Sequence, residues 1–423
     1  MISNLQVFDI IIIGGGPAGL FTAVNLKNDT SPQTSLNQLK SNKKVLILEK
    51  NETAGKKLLM AGSGRCNITH FGNIEEFFKH YGENQGFLKP ALKEFTNYHL
   101  IAFLKKREID ILVDKNGKVF PDSENSRDIL ELLLNECKKN KIEIKYNESV
   151  VNLIKSKEKF YIKTKTNEYI CSNVVIASGG KSYPLSGSSG DGYRLAKSVG
   201  HTIIPPKPAL SPVFIKDYKF VEISGVSLEK REIFLYRNNK KLKAHCGDFC
   251  FTHFGLSGPG ILDFSRYIEP NDVIKINLIN QKPEDFKRMF METSIKDGKR
   301  TLKGFIKRFK IPVSLIKVVL SEQNLVGDEQ LASIKKEIRN RIIDLFCEHP
   351  FTVERTGDFN IAMVTKGGVS LNEVFSKTME SKLTNGLFFA GEVLDIDGDT
   401  GGYNLQAAFS TSYLAAKSIN QKM

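Results

Sequence analysis

The apolar residues near the start form one short block, VFDIIII (7–13), which stops at Gly14, Gly15 and Gly16. A run this short, closed by glycines and lacking a basic leader, predicts a buried strand of a parallel sheet rather than a signal peptide. LFTAVNLK (20–27) carries a helical pattern and VLILE (45–49) reads as a second buried strand, which gives a β-α-β opening. Residues 28–44, rich in Asn, Ser, Thr and Gln, read as a surface insertion between them.

The pattern from 86 to 140 is mostly helical, with a hairpin expected at Asn116-Gly117. Short alternating segments follow from 142 to 180 and end on the apolar NVVIAS. Prolines 205, 206, 208 and 212 mark a boundary. Beyond it, 213–279 reads as β-rich with a hairpin at Asn238-Asn239, 283–348 as helical, and 351–365 as strand again. The closing segment, 386–419, returns to strand, loop and helix. The expected class is α/β. A two-segment Rossmann-like domain (1–204 and 364–423) would be interrupted by an inserted β-barrel (205–282 and 349–363) and a helical subdomain (283–348).

Composition fits that plan. The 423 residues are 41% hydrophobic, enough for two or three domains with cores, and no stretch approaches the roughly 18 apolar residues of a membrane-spanning helix. Six scattered cysteines show no disulfide framework and suit a reducing cytoplasm. Cys246 and Cys250, near His245 and His253, lack the second pair of a zinc site and lie in a strand-like alternation, so no metal is expected.

Charge alters the picture more. The net charge is +14, and residues 287–317 hold ten Lys or Arg against Glu292 and Asp297, a local surplus of eight. Lys296, Arg300, Lys303, Lys307 and Lys310 step by four and three, which would place them along one face of a helix opposite Leu302, Phe305, Ile306 and Phe309. Most such stripes are merely solvated faces. Clustering on this scale also matches a phosphate-backbone footprint, so RNA or another polyanion is an expected partner.

The chemistry-bearing motif follows the first strand. Gly14, Gly16 and Gly19 form G-x-G-x-x-G, with Gly15, Pro17 and Ala18 between them, where a strand ends and a helix opens. Glycines there let the backbone approach a pyrophosphate, whose charge rests on the helix N-terminus. Glu49, at the end of VLILE, is placed to bond the adenosine ribose. A dinucleotide is expected, and NAD and FAD share this fingerprint. VVIASGG (174–180), with Ser178, Gly179 and Gly180, and LFFAGE (387–392), with Gly391 and Glu392, resemble signatures of glutathione-reductase-type flavoproteins and favour FAD.

A more specific resemblance rests on KKLLMAGSGRCNITH (56–70), GGKSYPLSGSSGDGYRLAKSVGHTI (179–203), PALSP (208–212), FTHFGLSGPGIL (251–262), AMVTKGGVSL (362–371) and AGEVLDIDGDTGGYNLQAAFSTS (390–412). Together these resemble the BaiN/RdsA-like NAD(P)/FAD-dependent oxidoreductases across nearly the whole chain. The resemblance implies a two-part FAD domain with an inserted barrel and helical subdomain. It also implies that Gly15, Gly16, Ala18, Glu49, Lys50, Lys57, Ser63, Arg65, Cys66 and Asn67 line the ADP and flavin path, with Val151 meeting the adenine through its backbone.

The acidic stretch 392–399 is not an EF-hand, because Thr400 and Gln406 stand where Gly and Glu are needed. It reads instead as the turn under a flavin, built from Gly401, Gly402, Tyr403, Asn404 and Leu405. Glu392 is expected on the ribityl hydroxyls, Asp397 on ribityl or pyrophosphate, and a helix from about Asn404 would aim its positive end at the flavin's N1–C2=O edge. Cys66 and His253 are the candidates for proton transfer, and Arg65 for pyrophosphate or substrate.

The family's chemistries, as the resemblance implies, are NAD(P)H-driven reduction of uridine in large-subunit ribosomal RNA, reduction of steroid-type enones, and amine oxidation. The basic segment favours RNA. A small-molecule flavin enzyme and a non-catalytic flavin-containing RNA-binding protein remain as alternatives.

Overall fold

The computed structural model describes residues 5–27 and 43–423. The predicted insertion falls almost wholly outside the described residues. By contacts the chain divides into two compact units, Met1–Pro208 with Ala362–Met423, and Ala209–Ile361.

The first unit is built on a five-stranded parallel sheet. Strand Ile10–Ile13 lies between Val45–Leu48 and Asn173–Ile176, with Glu143–Lys145 beyond the former and Leu387–Phe389 beyond the latter. A strand flanked on both edges and covered on both faces has no solvent side, which is why it reads as four consecutive isoleucines, all buried. Helix Pro17–Lys27 packs against the closing helix Tyr403–Lys422. The closing helix is buried on nearly all sides, and its hydroxyls are satisfied locally: Thr411 donates to Ala407 O, and Ser412 to both Ala408 O and Ala18 O. A second, four-stranded sheet joins Gln6–Val7, Glu168–Cys171, Lys159–Thr164 and Val150–Ser156 in that order. The Asn116-Gly117 hairpin is present between Ile111–Val113 and Lys118–Pro121.

In the second unit, six strands close into a barrel in the order Val213–Ile215, Gly255–Ser257, Lys240–Phe251, Ser227–Arg237, Val273–Ile276 and His349–Thr356. The longest pair turns at Asn238 and Asn239, both with positive φ (50° and 62°), the geometry that matches the right-handed twist of a two-residue hairpin. Ile233, Leu235, Ile274 and Ile276 fill the interior while Phe234, Tyr236 and Lys275 alternate outward.

The helical stretch 283–348 shares a core with the barrel: Phe286, Phe290, Phe305 and Phe346 belong to the same apolar cluster as the barrel residues Ile276 and Phe351. One expectation is corrected here: the basic residues do not share one helix. Helix Pro283–Lys296 ends at Asp297, a new helix starts at Leu302 behind a Thr301 cap, and Lys310 sits in the left-handed region, so the stripe is broken by the turn around Gly298. Lys296, Arg300, Lys307 and Lys310 are exposed, and Lys303 is half-buried. Leu302, Phe305 and Ile306 are buried as the pattern required.

Phe286→Ala tests the shared core. The substitution is expected to cost about 3–5 kcal/mol and to reduce amide hydrogen-exchange protection in strands 273–276 and 349–356 as well as in the helices. Loss confined to the helices would show them to be an independent body.

Candidate functional site

A cleft opens at the carboxyl ends of the parallel strands, lined entirely by residues of the first unit. This is where an open α/β sheet places its ligand. At its centre is the turn that follows strand Ile10–Ile13. Gly14 adopts φ +110°, and a Cβ there would lie 2.6 Å from Ala177 O. A Cβ on Gly19 would stand 1.9 Å from Gly14 O, so the glycine at this position lets the helix start directly beneath the turn. Pro17 takes the first helical position, where its missing N–H is no loss.

Glu49 locks this turn to the neighbouring strand. Its Oε2 accepts the Gly15 N–H at 2.8 Å, and its Oε1 accepts Asn51 N at 2.8 Å and Nδ2 at 2.9 Å. Beside it, Lys50 bonds Ser189 and Asp191. Burial alone would raise the Asp191 carboxyl, but the Lys50 and Ser189 hydrogen bonds outweigh it and hold the group below its ordinary value. On the far side, Lys57 Nζ reaches Glu392 Oε2 at 2.7 Å and Oε1 at 3.0 Å. Glu392 Oε1 also accepts the Thr365 N–H at 2.8 Å, and Thr365 Oγ1 accepts from Lys181 N and Ser182 N. Gly180 leaves room for this pair, since a Cβ on it would strike Thr365 Oγ1.

The start of the closing helix forms the third wall. Asn404 Oδ1 accepts Gly398 N–H at 2.8 Å and its Nδ2 donates to Gly398 O at 2.8 Å, clamping the acidic loop. Tyr403 is not exposed to the cleft. It is held between His80, at 4.0 Å and 14° between planes, and His70, at 5.2 Å and 19°. Burial lowers the His70 pKa, and the Gly401 carbonyl opposes that only in part. Asp399 accepts from His80 at 2.9 Å, Asp395 accepts Gly367 N–H at 2.9 Å, and Asp397 is buried.

Of the residues singled out from sequence, Gly14, Gly16, Pro17, Ala18, Glu49, Lys50, Lys57, Ser178, Gly179, Gly391, Glu392, Asn404 and Leu405 meet in this one cleft. Others lie behind it or apart from it. Val151 sits at a bulge with its carbonyl accepting Arg194, while Val150 beside it lines the cleft. Ser63 is exposed, in a left-handed conformation. The Asn67 side-chain amide lies 3.1 Å from Gly402 N, at the Gly401–Gly402 turn. Arg65 is paired with Glu124 at 3.2 Å and lies over Phe120, so here it makes a surface ion pair rather than a cleft contact.

The proton-transfer candidates separate as well. Cys66 is fully buried, does not line the cleft, and burial pushes its thiol up to about 12. The Cys66 side chain packs into the core behind the 58–64 turn. His253 is exposed in the tight turn between strands Lys240–Phe251 and Gly255–Ser257 of the second unit.

Several lining residues escaped the sequence reading. Asn51, two residues past Glu49, lines the cleft, and Thr365, inside AMVTKGGVSL, braces Glu392 from behind it; both contacts show only in the fold. Ser188 lies within the 179–203 stretch but is not singled out there, while Glu148 and Tyr81 come from segments whose patterns carry no signal of a ligand.

The residues present fit a dinucleotide. A Cβ at Gly16 would meet nothing within 4 Å, so that backbone faces open space at the helix N-terminus, where a pyrophosphate is held. The buried hydroxyls of Ser178 and Ser188, both on the cleft wall, have no hydrogen-bond partner among the described residues.

Gly16→Ala and Gly14→Ala separate these roles. Gly16→Ala is expected to leave the melting temperature of the flavin-free protein unchanged while weakening flavin binding at least about tenfold, about 1.4 kcal/mol. Gly14→Ala is expected to destabilise the fold itself. Equal flavin affinity in Gly16→Ala would show that the cofactor does not approach this turn.

Comparison with known proteins supports the same reading. The HI0933-like protein Rossmann domain model matches residues 8–418. A Haemophilus influenzae protein named ribosomal RNA dihydrouridine synthase is 34% identical over 99% of this chain and 100% of its own length. A Clostridium scindens protein named 3-dehydro-bile acid delta(4,6)-reductase is 30% identical over 97% of this chain and 98% of its own. Among solved structures, a 3-ketosteroid-delta4-(5alpha)-dehydrogenase from Rhodococcus jostii shares the fold, with TM-score 0.51 at 12% identity, over 99% of this chain and 98% of that one. With a Rossmann-type FAD-binding fold and full-length relatives that are oxidoreductases, the chain belongs to the HI0933-like family and is an oxidoreductase of that family.

Proposed function

We propose that the protein is an FAD-dependent reductase, recharged by NAD(P)H, whose substrate is uridine in large-subunit ribosomal RNA. The observation that carries the substrate is the 34% identity, over essentially both full lengths, to the ribosomal RNA dihydrouridine synthase of Haemophilus influenzae. The exposed cations of 287–317 support a polyanionic partner, since each phosphate contact releases counterions. The bile-acid reductase relative supports the second reading, a small enone substrate.

FAD, when bound, supplies a carrier that takes hydride from NAD(P)H and delivers it to a carbon–carbon double bond. The chain's own residues do the rest. The Glu49 carboxylate, already oriented by the Gly15 and Asn51 donors, presents its acceptor edge to ribose hydroxyls. The first turn of helix Pro17–Lys27 neutralises the pyrophosphate. Glu392, held by Lys57 and Thr365, would meet ribityl hydroxyls, and the N-terminal end of helix Tyr403–Lys422 would offset negative charge developing on a bound flavin. Reduction also requires one proton. Of the two candidates only His253 has an exposed side chain. A cytoplasmic site of action agrees with this substrate.

Mass spectrometry of large-subunit rRNA from a strain lacking the gene is expected to show loss of a dihydrouridine, restored by the intact gene. An unchanged dihydrouridine content, with NAD(P)H oxidation stimulated by a steroid enone in vitro, would favour the small-molecule reading instead.

A further inference from the structure

We infer that Phe254 is a stacking platform for an unpaired nucleobase of single-stranded RNA, an inference that rests on the RNA reading above. Phe254 is 36% exposed, and its ring lies nearly parallel to that of Phe214, with centroids 4.1 Å apart and 15° between planes. The Arg355 guanidinium lies over Phe214 at 3.6 Å from its centroid. Both neighbours cannot share one face of Phe214 at these distances, so the order is Arg355, Phe214, Phe254. The outer face of Phe254 carries no further ring or cation among the described residues.

Exposed phenylalanines are common, and one alone means little. This one is held in place. Its carbonyl accepts the Ile215 N–H at 3.1 Å, and its own N–H donates to Thr252 Oγ1 at 3.4 Å. Thr252 Oγ1 also accepts Gly255 N–H at 3.1 Å, and Thr252 N–H donates to Gly255 O at 2.8 Å, closing the turn. A ring fixed in this way loses little entropy when a second flat group settles on it. A guanidinium behind two aromatic layers continues a stack of the kind bases form with aromatic and arginine side chains. The same compact unit carries the basic segment 287–317, so one body offers both a base-stacking surface and phosphate-binding charge. Single-stranded RNA is the partner that uses both.

The chain contains no tryptophan, so Phe254→Trp makes a single tryptophan, read by its own emission, at the platform. Adding an oligouridylate to the FAD-loaded variant is expected to quench that fluorescence saturably. Phe254→Leu, which keeps apolar bulk but removes the π face, is expected to bind the oligonucleotide about tenfold more weakly than wild type. Its FAD content and bleaching by NAD(P)H should be unchanged, because the residues of the FAD cleft lie in the other unit. An oligonucleotide that binds the wild type yet leaves the Trp signal unmoved and binds Phe254→Leu equally well overturns the inference alone. Equal quenching by duplex RNA, or quenching by a 4-en-3-one steroid without quenching by RNA, also overturns it. A wild type that binds no RNA removes the inference together with the RNA reading.

Discussion

The cleft depends on one carboxylate. Glu49 is buried, and a buried charge is tolerated only where donors surround it. Here the donors are the Gly15 amide and the main chain and side chain of Asn51, three hydrogen bonds on one group. They tie the glycine turn after strand Ile10–Ile13 to the end of strand Val45–Leu48, and so fix the mouth of the sheet before any ligand arrives. Replacing the carboxylate would remove both an acceptor for ribose and the brace that shapes the turn.

Polar pairs between residues distant in sequence extend that brace. Lys57 and Glu392 are 335 positions apart, yet their ion pair joins the turn after the second strand to the end of the last one. Thr365 bridges Glu392 to the backbone after strand Asn173–Ile176. The acidic loop is then stiffened by Asn404, while Tyr403, between two imidazoles, anchors the helix start. A site made of several chain segments is held here by hydrogen bonds to backbone amides, whose positions the sheet already dictates.

The parts visible in the sequence were those with a local cause. The isoleucine strand, the glycine turn, Glu49 and the strand-turn-helix ending in Leu405 each announce themselves within about a dozen residues, because tight turns and doubly covered strands restrict residue type strongly. What stayed hidden was set by long-range packing. Nothing local shows that Cys66 is sealed or that Arg65 pairs with Glu124. The basic stripe is the instructive failure. Its periodicity is helical, but Gly298 and the Thr301 cap break the helix, and the phenylalanines between the cations join the barrel's core.

The account turns on the cleft being a site for FAD rather than for a nicotinamide or a mononucleotide. The most direct measurement is chromatographic identification of the nucleotide released when the purified chain is denatured, after loading with a mixture of FAD, FMN and NADP. The account predicts FAD in equimolar amount with protein. Release of FMN or NADP in its place, or no retained nucleotide at all, would contradict it.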